Sequence, residues 1–293
     1  MARVHVFTDS TADIPKELQQ ELGIHVIPLK IHLDQQTYLD RETISPAEFY
    51  QKLEEVEQLP TTSQPSPMDF SDAYKRAIAD GAKDIISIHL SSALSGTYQS
   101  AVLAKGIVAE EIPDVNITVI DSRSASYGTG GAVVATARAA QEGKSVEECL
   151  SVAKRYLEQQ KIYFLVDTLE YLQRGGRIGK AAALVGSMLN IKPILSFNKE
   201  GEIIAVDKVR GKKKAFGRIL ELIKETAPAG PLSIAVAHAN VAEEAERWIS
   251  AIEKQSGIEL HEKVITDVGP VVGAHAGPGT LAYFLFPSTK EDQ

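Results

Sequence analysis

The stretch DIISIHLSSALSGTYQSAVLAKGIVA, residues 84–109, decides how this chain folds. Residues 84–89, with three isoleucines, read as a buried strand, and residues 98–109 read as a helix. Between them lie Ser91, Ser92, Ser95, Gly96 and Thr97. The same cadence recurs on either side. An apolar run at 4–8 stops at Asp9-Ser10-Thr11, and Asp13 with Pro15 then opens a helix to about Leu22. A strand at 116–120 ends at Asp121-Ser122, followed by a glycine-containing loop and an alanine-rich helix at 131–141. A capping box from Ser145 to Glu148 starts a helix running to Gln160. Strands alternating with helices predict a mainly parallel sheet with helices on both faces. The loops at 8–11, 91–97 and 121–126 each follow a strand, so they should converge on one sheet edge, where ligands gather.

Between these units, residues 24–33 are apolar, with Pro28 marking an edge or a bend. Ser45-Pro46-Ala47-Glu48 is a second capping box, opening a helix to about Val56. Residues 61–67 read as a loop of hydroxyls and prolines, followed by a helix near 69–80. The second half differs. Strands at 191–197 and 202–209 flank Asn198-Lys199-Glu200-Gly201, a hairpin signal that implies antiparallel pairing. A strand at 162–166, a loop at 174–179 and a helix containing 184–189 precede it. After it come a helix at 213–225, strands at 232–237 and 259–266 around a helix at 242–256, a glycine-rich loop at 269–279 and an apolar run at 281–286. Residues 290–293 read as a frayed tail. The expected fold class is therefore α/β with two α/β domains. Residues 1–160 form an N-terminal domain with a mainly parallel sheet and flanking helices. Residues 161–293 form a C-terminal α+β domain with a mixed or antiparallel sheet and helices.

Composition agrees. The chain has 293 residues, enough for two domains of ordinary size. A net charge of −8 argues against nucleic acid or an anionic membrane as a general partner, leaving at most transient membrane contact. The single Cys149 leaves no intramolecular disulfide and fits core packing on a helix. The opening MARVHVFTDS lacks the apolar stretch of a signal peptide, and no apolar run approaches the ~18–20 residues of a membrane span. A cytoplasmic protein is expected.

Several residues invite chemistry. Ser66 as a helix cap before Pro67 explains part of residues 61–67, but not Thr62, Ser63 and Gln64 together. The loop at 91–97 sits where backbone N–H groups and a helix start favour an anion. Gly96 permits close approach there, and Ser95 can donate a hydroxyl hydrogen bond. Its plain alternative is a strand-to-helix turn with a serine cap. As a nucleophile Ser95 lacks one glycine of G-x-S-x-G. Asp9 after the first strand, with Ser95, supports an alternative reading as a phosphotransferase or hydrolase, while Asp13 suits a helix start. No histidine or cysteine spacing matches a metal site, and no metal or cofactor is expected. The loop at 269–280 has neither a P-loop ending nor a following helix, which leaves His275 as an imidazole that is either structural or a donor to an anion. Arg174, Arg177 and Lys180 are a phosphate or acidic-partner contact or a solvated turn. Lys212-Lys213-Lys214 reads as an exposed helix start.

In combination, TDSTADIP at 8–15, TSQPSP at 62–67, SSALSGTY at 91–98, DSRS at 121–124, LEYLQRGGRIG at 169–179 and GAHAGPG at 273–279 resemble the DegV family. The resemblance spans about residues 3–286. It implies two α/β domains with a long-chain fatty acid, palmitate-like, buried between them. It also implies a carboxylate held by Thr62 and Ser95, with Ser63, the Gly96 N–H and His275 nearby. Members of some lineages present the acyl group to a separate fatty acid kinase, and Arg174 and Arg177 match the loop that would meet partner or phosphate. On this reading the chain is a carrier with no catalytic residue of its own. A purely regulatory module that senses acyl state is a further alternative.

Overall fold

A computed structural model describes residues 4–186, 191–227, 230–255, 257–258 and 260–288 of the chain. The first half runs β1 (Val4–Asp9), α1 (Lys16–Glu21), β2 (His25–Ile27), β3 (Lys30–Leu33), β4 (Gln36–Leu39) and α2 (Pro46–Glu55). It continues through β5 (Thr61–Ser63), α3 (Pro67–Ala79), β6 (Asp84–His89), α4 (Thr97–Glu111), β7 (Asn116–Asp121), α5 (Tyr127–Gln141) and α6 (Val146–Gln159). The second half runs β8 (Lys161–Leu165), α7 (Glu170–Arg174), β9 (Ile191–Phe197), β10 (Ile203–Arg210) and α8 (Lys212–Thr226). It closes with β11 (Leu232–His238), α9 (Ala242–Gln255), β12 (Leu260–Asp267), α10 (Pro270–Ala276) and β13 (Leu281–Pro287).

The isoleucines of β6 lie inside a four-stranded sheet of order β2-β1-β6-β7, parallel throughout. Alternation sends them to opposite faces. Ile85 joins Phe7, Phe70 and Tyr74 in a core shared with α3 and α4, whereas Ile86 and Ile88 pack with Val6, Val133 and Ala153 against α5 and α6. Helices therefore cover both faces, as the strand–helix cadence requires. Pro28 ends β2, because a residue without an N–H cannot continue a ladder. The chain then leaves this sheet for a small antiparallel one of order β4-β3-β5. There Thr62 stands opposite Ile31. Residues 61–63, read in the sequence as loop, are a strand because β3 offers them a paired edge.

The second sheet has six strands in the order β10-β9-β8-β13-β11-β12 and is mixed, with only the β11–β12 pair parallel. Its outward face, including Tyr163, Ile194, Val236 and Tyr283, packs under α8 and α9. Its inward face, including Phe164, Leu195, Ala237 and Phe284, packs against Tyr127, Ala132 and Tyr156 of α5 and α6 and against Phe49 of α2. The fold is a two-domain α/β arrangement with a mixed second sheet, and the inner face of that sheet looks at the first half of the chain.

Three local expectations change. Helix α5 begins four residues before the expected 131, with Gly128, Gly130 and Gly131 in its first turns. A Cβ on Gly131 would fall 2.3 Å from the Phe286 ring, and one on Gly130 2.3 Å from the Ala12 carbonyl oxygen. Close packing outweighs poor helix propensity here. The expected loop at 269–279 contains α10, with Pro270 in its first turn and the Gly269 N–H donating to Asp13 Oδ1 at 2.9 Å. In place of a helix from 184, a 3-10 turn spans Gly179–Leu184. Gly179 has φ of +55° and lies so close to the Ile203 backbone that a Cβ would sit 2.6 Å from its oxygen. The remainder of that expected helix, 187–189, the expected strand start at 259 and the tail at 290–293 lie outside the described residues.

Candidate functional site

The loops after β1, β6 and β7 do meet at one sheet edge. The Ser91 N–H donates to the Ser124 carbonyl at 2.7 Å, and Ser92 Oγ donates to Asp121 Oδ2 at 2.5 Å. Between this edge and the inner face of the six-stranded sheet lies a cavity of about 310 Å³. That is within the ~300–1,000 Å³ usual for small-molecule sites. Its greater part is apolar: Ile162, Phe164, Phe197 and Phe284 from the six-stranded sheet, Val271 and Val272 from α10, and Leu29 and Leu90 opposite.

The same cavity is also lined by Thr62, Ser63, Gln64, Ser95, Arg177 and His275. Thr62 on β5 and His275 in the last turn of α10 are 213 residues apart, yet Thr62 Oγ1 and His275 Nε2 are 2.8 Å apart. Burial, and secondarily the Arg177 charge, push the His275 pKa down to about 4, so the imidazole is neutral near pH 7. Its Nδ1 is buried without a hydrogen-bond partner. Gly175 packs against it so closely that a Cβ there would fall 2.3 Å away. We assign the single ring hydrogen to Nε2, since a hydrogen on Nδ1 would be a buried donor with nothing to receive it. The imidazole then donates to Thr62 Oγ1, and the Thr62 hydroxyl keeps its own hydrogen for a ligand.

Ser95 closes the turn before α4. Its Oγ accepts the Thr97 N–H at 3.3 Å and lies 2.9 Å from Thr97 Oγ1. A hydrogen from Thr97 Oγ1 would leave the Ser95 hydroxyl free to donate in the same manner. Ser63 lines the cavity while its Oγ meets His32 Nε2 at 3.0 Å. Gly96 packs against Gln64, and a Cβ on it would fall 2.4 Å from Gln64 Oε1. Gln64 itself lines the cavity.

The two arginines part ways. Arg177 lines the cavity and braces it, with Nε donating to the Leu94 carbonyl at 3.0 Å and Nη1 to the Gly175 carbonyl at 2.6 Å. Arg174 lies on the surface, paired with Glu170 at 2.8 Å. Lys180 pairs with Glu202 at 2.8 Å.

Asp9 and Ser95, the residues of the phosphotransferase or hydrolase alternative, share no hydrogen-bond partner among those described, and of the two Ser95 lines the cavity. Asp9 is fully buried. Its Oδ1 accepts from Thr11 N and Oγ1 at 3.1 and 2.5 Å, and its Oδ2 meets His89 Nδ1 at 2.9 Å and Leu90 N at 3.2 Å. Its acceptor capacity is filled by its own fold. His89 in turn meets Ser87 Oγ at 2.6 Å. Asp13, equally buried, binds Arg41 Nη2 at 2.8 Å and Ser126 Oγ at 2.5 Å. Burial raises its pKa and the Arg41 charge lowers it. Among the described residues no group of three or more His, Cys, Asp or Glu could hold a metal ion.

Sequence reasoning missed most of the wall. Phe164, Phe197 and Phe284 look like ordinary core residues, and Thr11 and Ser126 resemble turn hydroxyls until the cavity puts them on its surface.

A family model described as an uncharacterised protein of the DegV family matches residues 3–288. A DegV domain-containing protein of Clostridium perfringens is 37% identical over 275 residues, covering 94% of this chain and 95% of the relative. Among solved structures, a fatty-acid-binding DegV family protein from Thermus thermophilus is 37% identical with a TM-score of 0.88, covering 98% of this chain and 100% of that one. A stearic-acid-binding protein from Eubacterium ventriosum is 26% identical with a TM-score of 0.89, covering 98% of both chains.

Proposed function

Since this chain belongs to the DegV family, we propose that it binds a long-chain fatty acid in the cavity, with the carboxylate held by Thr62 and Ser95. One observation carries the reading. The polar groups of the cavity include hydroxyls with hydrogens to give, set in a wall that is otherwise largely apolar. A carboxylate needs such donors when it leaves water, and an acyl chain needs the wall. Burying roughly 14 methylenes at ~0.8 kcal/mol each offers roughly 11 kcal/mol of transfer free energy, so the chain supplies affinity and the hydroxyls supply orientation. Two solved relatives that bind fatty acids share the fold over nearly the whole chain, which supports the same ligand class here.

In this reading the protein is a carrier that makes no bond and breaks none. It presents the acyl carboxyl to a separate fatty acid kinase, with Arg174 facing outward for partner or phosphate and Arg177 steadying the cavity behind it. No cofactor is required. The domain boundary falls at about residue 161, where the first sheet and its helices are complete and β8 begins the second. No described helix is long and apolar enough to cross a membrane.

The test is lipid analysis. Protein purified, incubated with palmitate, washed and denatured should release close to one equivalent of fatty acid by mass spectrometry. Release of no stoichiometric acyl chain would overturn the reading.

A further inference from the structure

The cavity holds a second set of polar groups that binding a carboxylate does not use. Thr11, just after β1, and Ser126, at the start of α5, both line it, and both are buried. Each has one hydroxyl hydrogen, and each gives it to a carboxylate of its own fold. Thr11 Oγ1 donates to Asp9 Oδ1, and Ser126 Oγ donates to Asp13 Oδ2, both at 2.5 Å. Neither oxygen accepts a hydrogen bond among those described, so lone pairs are what the two residues have left for a ligand. The elements that carry them pack directly together: a Cβ on Gly130 of α5 would fall 2.3 Å from the carbonyl oxygen of Ala12.

The backbone is built to hold this arrangement. Ser126 has φ of +54° and ψ of −146°, close to a region that glycine alone occupies freely. Asp13, its partner, has φ of +51°. A serine kept at such a position, when glycine would suit the backbone better, points to a use for its hydroxyl. Holding Asp13 is one use. Facing the cavity is the other.

We propose that Thr11 and Ser126 form an acceptor station that selects fatty acids bearing a hydroxyl on the acyl chain. The proposal rests on the carrier reading and narrows its ligand class. The headgroup residues offer hydrogens and suit an anion. The station offers lone pairs and suits a neutral donor. A plain methylene leaves those lone pairs facing hydrocarbon, whereas a chain hydroxyl donates to one of them and avoids its own desolvation penalty.

The experiment is a competition. Purified protein is incubated with excess stearic acid and an equimolar positional set of monohydroxystearic acids, then washed, and the retained acids are quantified by mass spectrometry. The wild-type chain should retain one hydroxy isomer at least as well as stearate and about 10-fold better than its neighbours in the set. Thr11→Val and Ser126→Gly should each lower the ratio of that isomer to stearate about 10-fold, and Thr11→Ser, which keeps the hydroxyl, should restore it. Ser126→Gly suits the backbone, so it serves if Thr11→Val fails to fold. Enrichment of stearate over every hydroxy acid, or ratios unchanged in both variants, overturns the station and leaves the carrier reading standing. Retention of no acid overturns both.

Discussion

Two polar regions border the cavity with similar residue types and opposite characters. Around Asp9 and Asp13, carboxylates, a histidine, serines and an arginine bond one another: Asp9 to His89, His89 to Ser87, Ser87 to Tyr74, and Asp13 to Arg41, Ser126 and Gly269. Around Thr62, Ser95 and His275 the accounting does not close, and hydroxyl hydrogens and the His275 Nδ1 are left over. Asp, His and Ser in the first region would pass for catalytic machinery in a sequence. What separates a headgroup-binding end from a structural knot is hydroxyl hydrogens left facing a space, which residue identity alone does not give.

The closed region should break hardest. Asp13→Ala takes a fully buried carboxylate from Arg41, whose side chain is 20% exposed, so the loss should approach but not exceed the ~3–5 kcal/mol typical of breaking a buried ion pair. Denaturant melts should show that loss, and a change below ~1 kcal/mol would mean the knot is not structural.

Titration separates the regions next. The folded His275 pKa of about 4 lies below the ordinary 6.5, so the unfolded chain takes up that proton first. Its contribution is complete above pH 6.5 and is lost as pH falls toward 4, on the order of 3 kcal/mol at ~1.4 kcal/mol per unit. Asp40, buried just after β4 and within reach of the Arg41 and Asp13 charges, runs the other way. Burial raises its pKa to about 7, against lesser lowering by Ser10 and Arg41, so its contribution is lost as pH rises from 3.8 toward 7. The two slopes oppose each other between pH 4 and 6.5. Asp40→Asn should therefore leave stability rising with pH across that window, and His275→Asn should leave it falling. Chemical melts at pH 5 and pH 7 check both signs.

Smaller effects belong to the open region. Thr62→Ala and Ser95→Ala should each weaken acyl binding by ~1–3 kcal/mol with melting little changed. Isothermal titration with palmitate measures this, and unchanged affinity in both variants would move the headgroup elsewhere. Arg174→Ala should shift stability by no more than ~0.5 kcal/mol, because its partner Glu170 is equally exposed.

Much of the fold was legible because local signals agreed with the global one. The isoleucines of β6, the capping boxes at Ser45 and Ser145, the Ser66 cap and the Asn198 hairpin each specify their element without distant help. Elements that depend on distant partners were not legible. Residues 61–63 become a strand only beside β3, and α10 forms with its first residues tied to Asp13. The site divides similarly. Thr62, Ser95 and Arg177 stand out as hydroxyls and a cation beyond what turns require, and their family motifs add His275. The aromatic wall is invisible, since Phe164 facing a cavity and Tyr163 facing a core differ only in strand alternation and in what happens to lie opposite.

The most direct test is a crystal structure of the chain with a bound C16–C18 fatty acid. The account predicts an acyl chain along Phe164, Phe197 and Phe284, with a carboxylate within hydrogen-bond distance of Thr62 Oγ1 and Ser95 Oγ. A carboxylate at Thr11 and Ser126 instead, or an acyl chain outside this cavity, would contradict it.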